Sequence, residues 1–128
     1  RYPMKLPKKA RPKRHGVVFW AVRGDGAVLV RRRPENGLLG GMIEFPTTPW
    51  RELGWGDNSW RDLAPAAADW NVLAKTINHS FTHFRLELTV VLGAVDGGDG
   101  IWCHPDDFGD LALPTAMKKV AAAVAQSS

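Results

Sequence analysis

From Phe84 to Leu92 an apolar side chain stands at every second position: Phe84, Leu86, Leu88, Val90 and Leu92 alternate with Arg85, Glu87, Thr89 and Val91. A period of two fits a strand with one buried face, so a strand is expected from Phe84 to Ala94. His15–Arg23 and Ala27–Arg32 flank Gly24-Asp25-Gly26, a connection that closes an antiparallel hairpin. Gly37 to Gly41 reads as a loop into a short strand, Met42 to Phe45, which Pro46 ends. A further strand is expected from Trp70 to Asn78, and a last one at Ile101–Cys103 after the loop Asp96 to Gly100. Pro114 suits the first turn of a helix. There Met117, Val120, Ala121 and Val124 form one apolar stripe, with Lys118 and Lys119 opposite it as solvated charge. The fold class is α/β of the α+β kind, with the C-terminal helix packed on the sheet.

Two segments resist a simple period. Thr47 to Trp60 is punctuated by Gly, Pro and Asp and reads as a long loop, followed by a short helix or turn within Ser59–Asp69. Trp50, Trp55 and Trp60 are costly to leave wet, so they are expected to fold back over the sheet rather than form an exposed docking surface. Between Trp70 and Ala94 two long strands need a connection. A turn near Phe81, Thr82 and His83 carries those side chains to one rim, whereas a continuous strand buries Thr82 and turns Phe81 and His83 outward.

Charge divides the chain. Residues 1–14 hold Arg1, Lys5, Lys8, Lys9, Arg11, Lys13 and Arg14 and no acid, so 7 of the 17 basic residues stand there; the other 10, set against 13 acidic residues, leave the remainder at −3 within a net +4. With Pro3, Pro7 and Pro12 interleaved, residues 1–14 read as an extended basic linker, and Lys8, Lys9, Arg11, Lys13 and Arg14 are its candidate phosphate contacts. Residues 15–128 form one domain; 128 residues, 45% of them hydrophobic, suffice for a single core. The chain starts at Arg1, and it is expected to be a piece of a larger protein. No stretch resembles a signal peptide or a membrane span, and a single Cys103 excludes a disulfide or an all-cysteine cluster within this chain, so a cytoplasmic protein is expected.

Several chemistries find no residues to carry them. His79 and His83 are four apart, about 13 Å on a strand, too far to share a zinc ion even with Cys103 and His104 nearby. Neither a Gly-x-x-x-x-Gly-Lys phosphate loop nor a Gly-x-Ser-x-Gly elbow occurs.

The run Arg31-Arg32-Arg33-Pro34-Glu35 to Glu44-Phe45-Pro46 resembles the front half of a Nudix fold. Hydrolases of that family bind their cation through glutamates on a helix that follows, reading Arg-Glu, a hydrophobe, a spacer and Glu-Glu. Here Arg51-Glu52 is followed by Leu53-Gly54-Trp55-Gly56, with alanines at 64 and 66–68. The glycines disfavour a helix and no further carboxylate is in place, so the catalytic helix is missing and no metal site is expected. Together with Asn78-His79-Ser80-Phe81-Thr82-His83-Phe84, the basic Pro-rich connector and Leu113-Pro114-Thr115, this run resembles the C-terminal domain of the MutY family of adenine DNA glycosylases over nearly the whole chain.

That resemblance implies a Nudix-like mixed sheet, a hairpin at Phe81–His83, and a domain that reads 8-oxoguanine opposite adenine in double-stranded DNA. The syn oxidised base shows its 2-amino group in the major groove, where guanine shows only acceptors. The family's Phe-Ser-His reader carries over to Phe81, Thr82 and His83; Thr82 keeps the acceptor oxygen and adds a methyl. By the same resemblance, a separate N-terminal domain flips and excises the adenine and carries a [4Fe-4S] cluster. The chain alone has no glycosylase activity and acts as a monomer, in a bacterial cytoplasm and nucleoid-associated through DNA. Two rivals stand beside it: a Nudix-type nucleotide pyrophosphohydrolase using Glu35, Glu44 and Glu52 as unconventional ligands, and a protein-interaction module whose basic tail is incidental.

Overall fold

The computed structural model describes residues 12–33, 40–56, 58–97 and 100–127. Its strands are β1 (Lys13–Val22), β2 (Val28–Arg32), β3 (Ile43–Glu44), β4 (Asn71–Ser80), β5 (Arg85–Ala94) and β6 (Ile101–Cys103), followed by the helix α1 (Thr115–Ser127). They form one mixed sheet in the order β3-β2-β1-β5-β4, with β6 on β2. β1 and β5 run parallel from Lys13↔Arg85 to Val22↔Ala94, while β1–β2 and β4–β5 are antiparallel. The expected hairpin at Gly24-Asp25-Gly26 is present; Gly26 has a φ of 93°, where a side chain would strain the turn. Gly37 to Leu39 of the expected loop lie outside the described residues.

Three expectations need correction. Lys13 and Arg14, read as linker, are the first residues of β1, because the parallel register pairs them with Arg85 and Leu86. The loop after Pro46 is partly sheet. β2 meets β1 at Val22↔Val28, and the remaining edge of β1 is taken by residues 46–51 through Phe19 N–H to Pro46 O (2.8 Å), Thr48 N–H to Val17 O (3.0 Å) and Arg51 N–H to His15 O (3.0 Å). Finally, β5 is not buried on one face alone. Leu86, Leu88 and Val90 face the α1 side, but Val91 on the reverse is also fully buried, because tryptophans cover that side.

The sheet is thus covered on both faces. Val18, Val30, Phe45, Leu86, Leu88 and Val90 pack beneath Met117, Val120 and Ala123 of α1, while Ala121 and Val124 of the expected stripe are only partly buried against this cluster. On the reverse, Val17, Phe19, Ala21 and Val91 pack against Trp60 and Trp70. Trp60 sits in a 3-10 turn, Ser59–Leu63, that occupies this segment in place of a longer helix. Gly93 lets Trp70 lie flat on β5, since a Cβ there would stand 2.7 Å from the indole; Gly16 makes the same room for Trp50 at 2.6 Å. Two buried tryptophans at about 3 to 5 kcal/mol each on truncation make this second layer part of the core.

Candidate nucleic-acid interface

Antiparallel β4 and β5 must be joined by a turn, and the residues that join them are Phe81 to Phe84. Phe81 N–H donates to Phe84 O at 2.8 Å, which closes the turn. Thr82 and His83 are exposed, and neither side chain has a hydrogen-bond partner among the described residues. Phe81 turns the other way. Its ring is half-buried and lies 6.1 Å from Trp50 at 27°, 4.9 Å from Phe84 at 32°, and 4.8 Å from His79 edge-on. The Arg14 guanidinium covers Phe84 at 4.7 Å. An aromatic plug therefore anchors a turn whose two polar side chains project into solvent. Of the three residues read from the sequence, two stand on the outer rim and the third fixes them from within.

Beside the plug, Arg14, Arg31, Arg33, Glu44 and Trp50 line a cleft of about 350 Å3. The register Arg31↔Glu44 between β2 and β3 sets a carboxylate between two guanidiniums. Arg31 Nε donates to Glu44 Oε2 at 2.7 Å, and Arg33 Nη1 to Oε1 at 2.5 Å. Glu44 is 2% exposed, so its charge is held by both partners and its oxygens face arginine. Of the other carboxylates weighed as unconventional ligands, Glu52 is exposed and Glu35 lies outside the described residues. Among the described residues, no three of His, Cys, Asp and Glu come together as a metal site.

Basic groups surround the turn. Lys13 and His15 both approach Glu87, at 3.7 and 3.0 Å. Lys119 Nζ, expected to be solvated, instead reaches β4 and donates to Asn78 O at 3.1 Å and to His79 Nδ1 at 3.2 Å. Burial and then the Lys119 charge hold His79 below its ordinary value of 6.5. Lys8, Lys9 and Arg11 lie outside the described residues. The sequence reading passed over the Glu44 pairing and the reach of Lys119. Arg31 and Arg33 two apart on a strand gave a same-face signal for the former; nothing local signals the latter. Among the described residues no helix is long and apolar enough to cross a membrane.

The NUDIX domain family model matches residues 17–123. The human adenine DNA glycosylase is 27% identical over 93% of this chain and 25% of its own length. The rat enzyme is 27% identical over 76% of this chain and 22% of its own length. This chain therefore spans about a quarter of the relatives it matches. Among solved structures, the C-terminal domain of mouse MUTYH, determined in complex with human PCNA, matches with a TM-score of 0.65 at 23% identity, covering 89% of this chain and 88% of that one. The MutT protein of Methanosarcina mazei Go1 matches with a TM-score of 0.65 at 19% identity, covering 91% and 93%. The resemblance carried by the motifs is met by homologous adenine DNA glycosylases over most of the chain and by the shared architecture. Since the family model spans the sheet from β1 to β6 and most of α1, this chain belongs to the NUDIX domain family.

Proposed function

We propose that this chain is the lesion-reading domain of an adenine DNA glycosylase, inspecting 8-oxoguanine opposite adenine in duplex DNA while a separate N-terminal domain excises the adenine. The observation that carries this reading is the turn: Thr82 and His83 project free from a plug that cannot easily shift. The Thr82 hydroxyl and an imidazole nitrogen of His83 are acceptors, and the syn oxidised base offers its amine in the major groove. Lys13 and Arg14 lie at the same end of the sheet and contact backbone phosphates; Lys8, Lys9 and Arg11 are the further candidate contacts. The domain distinguishes and grips; it does not cut, because Glu44 is committed to Arg31 and Arg33. A cluster held by four cysteines does not fit a chain whose one cysteine is Cys103, so the [4Fe-4S] group belongs to the N-terminal domain.

Fluorescence anisotropy tests this with two duplexes that differ only in 8-oxoguanine or guanine opposite adenine. Tighter binding to the oxidised duplex is expected. Equal affinity for both, with a salt slope of about −0.9 per phosphate, would reduce the domain to a basic tether. Release of nucleotide products on adding Mg2+ would favour the hydrolase reading instead.

A further inference from the structure

We propose that Lys119 of α1 is a positioning residue for the reading turn, acting through His79 and Phe81 to fix where Thr82 and His83 stand; this rests on the reading of the turn given above. Lys119 Nζ donates to Asn78 O and His79 Nδ1, at 3.1 and 3.2 Å. An ammonium has donors only, so Nδ1 carries the lone pair and His79 is neutral with its proton on Nε2. The His79 ring stands edge-on to Phe81 at 4.8 Å and 74°. Phe81 opens the turn and bonds Phe84 across it at 2.8 Å, so holding its ring holds the backbone from which Thr82 and His83 project. Two side chains thus link the helix to the tip. The neighbouring cleft, about 360 Å3, is lined by Asn78, His79, Ser80, Arg85, Leu86 and Lys119, without a carboxylate.

The link depends on protonation. Lys119 is the charged group that meets His79 from α1; Lys75, farther along β4, is occupied by Gln126 at 3.0 Å. On β5 the cross-strand neighbour of His79 is Leu86; Arg85 next to it also lines the cleft, and Glu87 is on the opposite face, where Lys13 and His15 approach it. Burial and Lys119 lower the His79 pKa from 6.5, so the acceptor is in place at neutral pH. As pH falls through the folded-state value, Nδ1 gains a proton and two cations stand where one hydrogen bond was.

The test measures the ratio of affinities for the oxidised and unoxidised duplexes, at pH about 7.5 and in steps reaching well below the ordinary imidazole value, since the His79 value lies below it. Lys119→Ala is expected to cut the ratio by about 2- to 10-fold, the worth of one hydrogen bond, and Lys119→Arg to restore it. The wild-type ratio should fall at the lower pH. His79→Asn, whose amide accepts from Lys119 without titrating, should lose less of its ratio than the wild type; because the duplexes and His83 are common to both, any proton they take up cancels between variants. Lys119 is exposed, so Lys119→Ala should keep the core, and the His79→Asn comparison stands independently of it. A discriminating wild type whose ratio ignores Lys119→Ala, or a His79→Asn profile that falls like the wild type, overturns the positioning role alone. A wild type that never discriminates overturns the reading of the turn and this inference together.

Discussion

At the end of the sheet where β1 and β5 begin, Lys13, Arg14 and Arg85 stand beside an exposed Thr82 and His83, and the nearby Glu87 is engaged by Lys13 and His15. Where the same two strands finish, the loops carry Asp25 and Asp96. The 3-10 turn Pro105–Asp110 carries Asp106 and Asp107 in its first turn, and His104 just before it stands with Nε2 3.9 Å from Asp25. The cation Arg23 is bound to Asp25 at 2.9 and 2.8 Å. That hydrogen bonding, with the Ala27 N–H, holds the Asp25 carboxyl well below the usual carboxylate range. Both ends share strands and core, so packing does not distinguish them; charge does. A field of this sense turns the basic end toward a polyanion and the acidic end away, which on the function proposed above would present the turn to DNA before any base is read.

Four changes break or sharpen this contrast, from the largest effect to the smallest. Glu44→Ala removes the carboxylate that Arg33 meets where the arginine is only 18% exposed. It should cost about 3 kcal/mol in chemical denaturation, the low end for a broken buried pair, because the half-exposed Arg31 can turn to water. Thr82→Ala combined with His83→Ala should leave stability unchanged and remove about 1 to 3 kcal/mol of preference for the oxidised duplex, measured by competition binding. Arg14→Ala should weaken both duplexes alike and flatten the salt slope by about 0.9. Asp106→Asn with Asp107→Asn, at the far end, should change stability by less than about 0.5 kcal/mol. Its on-rate for either duplex should rise only slightly in stopped flow, and a large rise would show that the far end takes part in binding.

Much of the fold was legible because it is written in local periods. The alternation in β5, the hairpin at Gly24–Gly26 and the stripe of α1 each declare themselves within ten or so residues. The polar turn residues were legible as well, since two strands had to be joined between Trp70 and Ala94. What stayed hidden depends on distant partners. Residues 46–51 have no period because Pro46, Thr48 and Arg51 bond β1 through the backbone, which any residue's C=O, and any non-proline N–H, can do. The second buried face of β5 is dictated by Trp60 and Trp70, some twenty to thirty residues away in sequence. Lys119 lies on the face of α1 expected to meet only water; its bond to β4 is visible only once helix and strand are docked.

The most direct test of the central claim follows backbone amide resonances of the chain as each duplex is added. The account predicts shifts around Lys13 and Arg14 that are common to both duplexes, and shifts at Phe81, Thr82 and His83 that appear with 8-oxoguanine opposite adenine and are weak or absent with guanine. Identical shift maps for the two duplexes, or lesion-specific shifts confined to the acidic end, would contradict it.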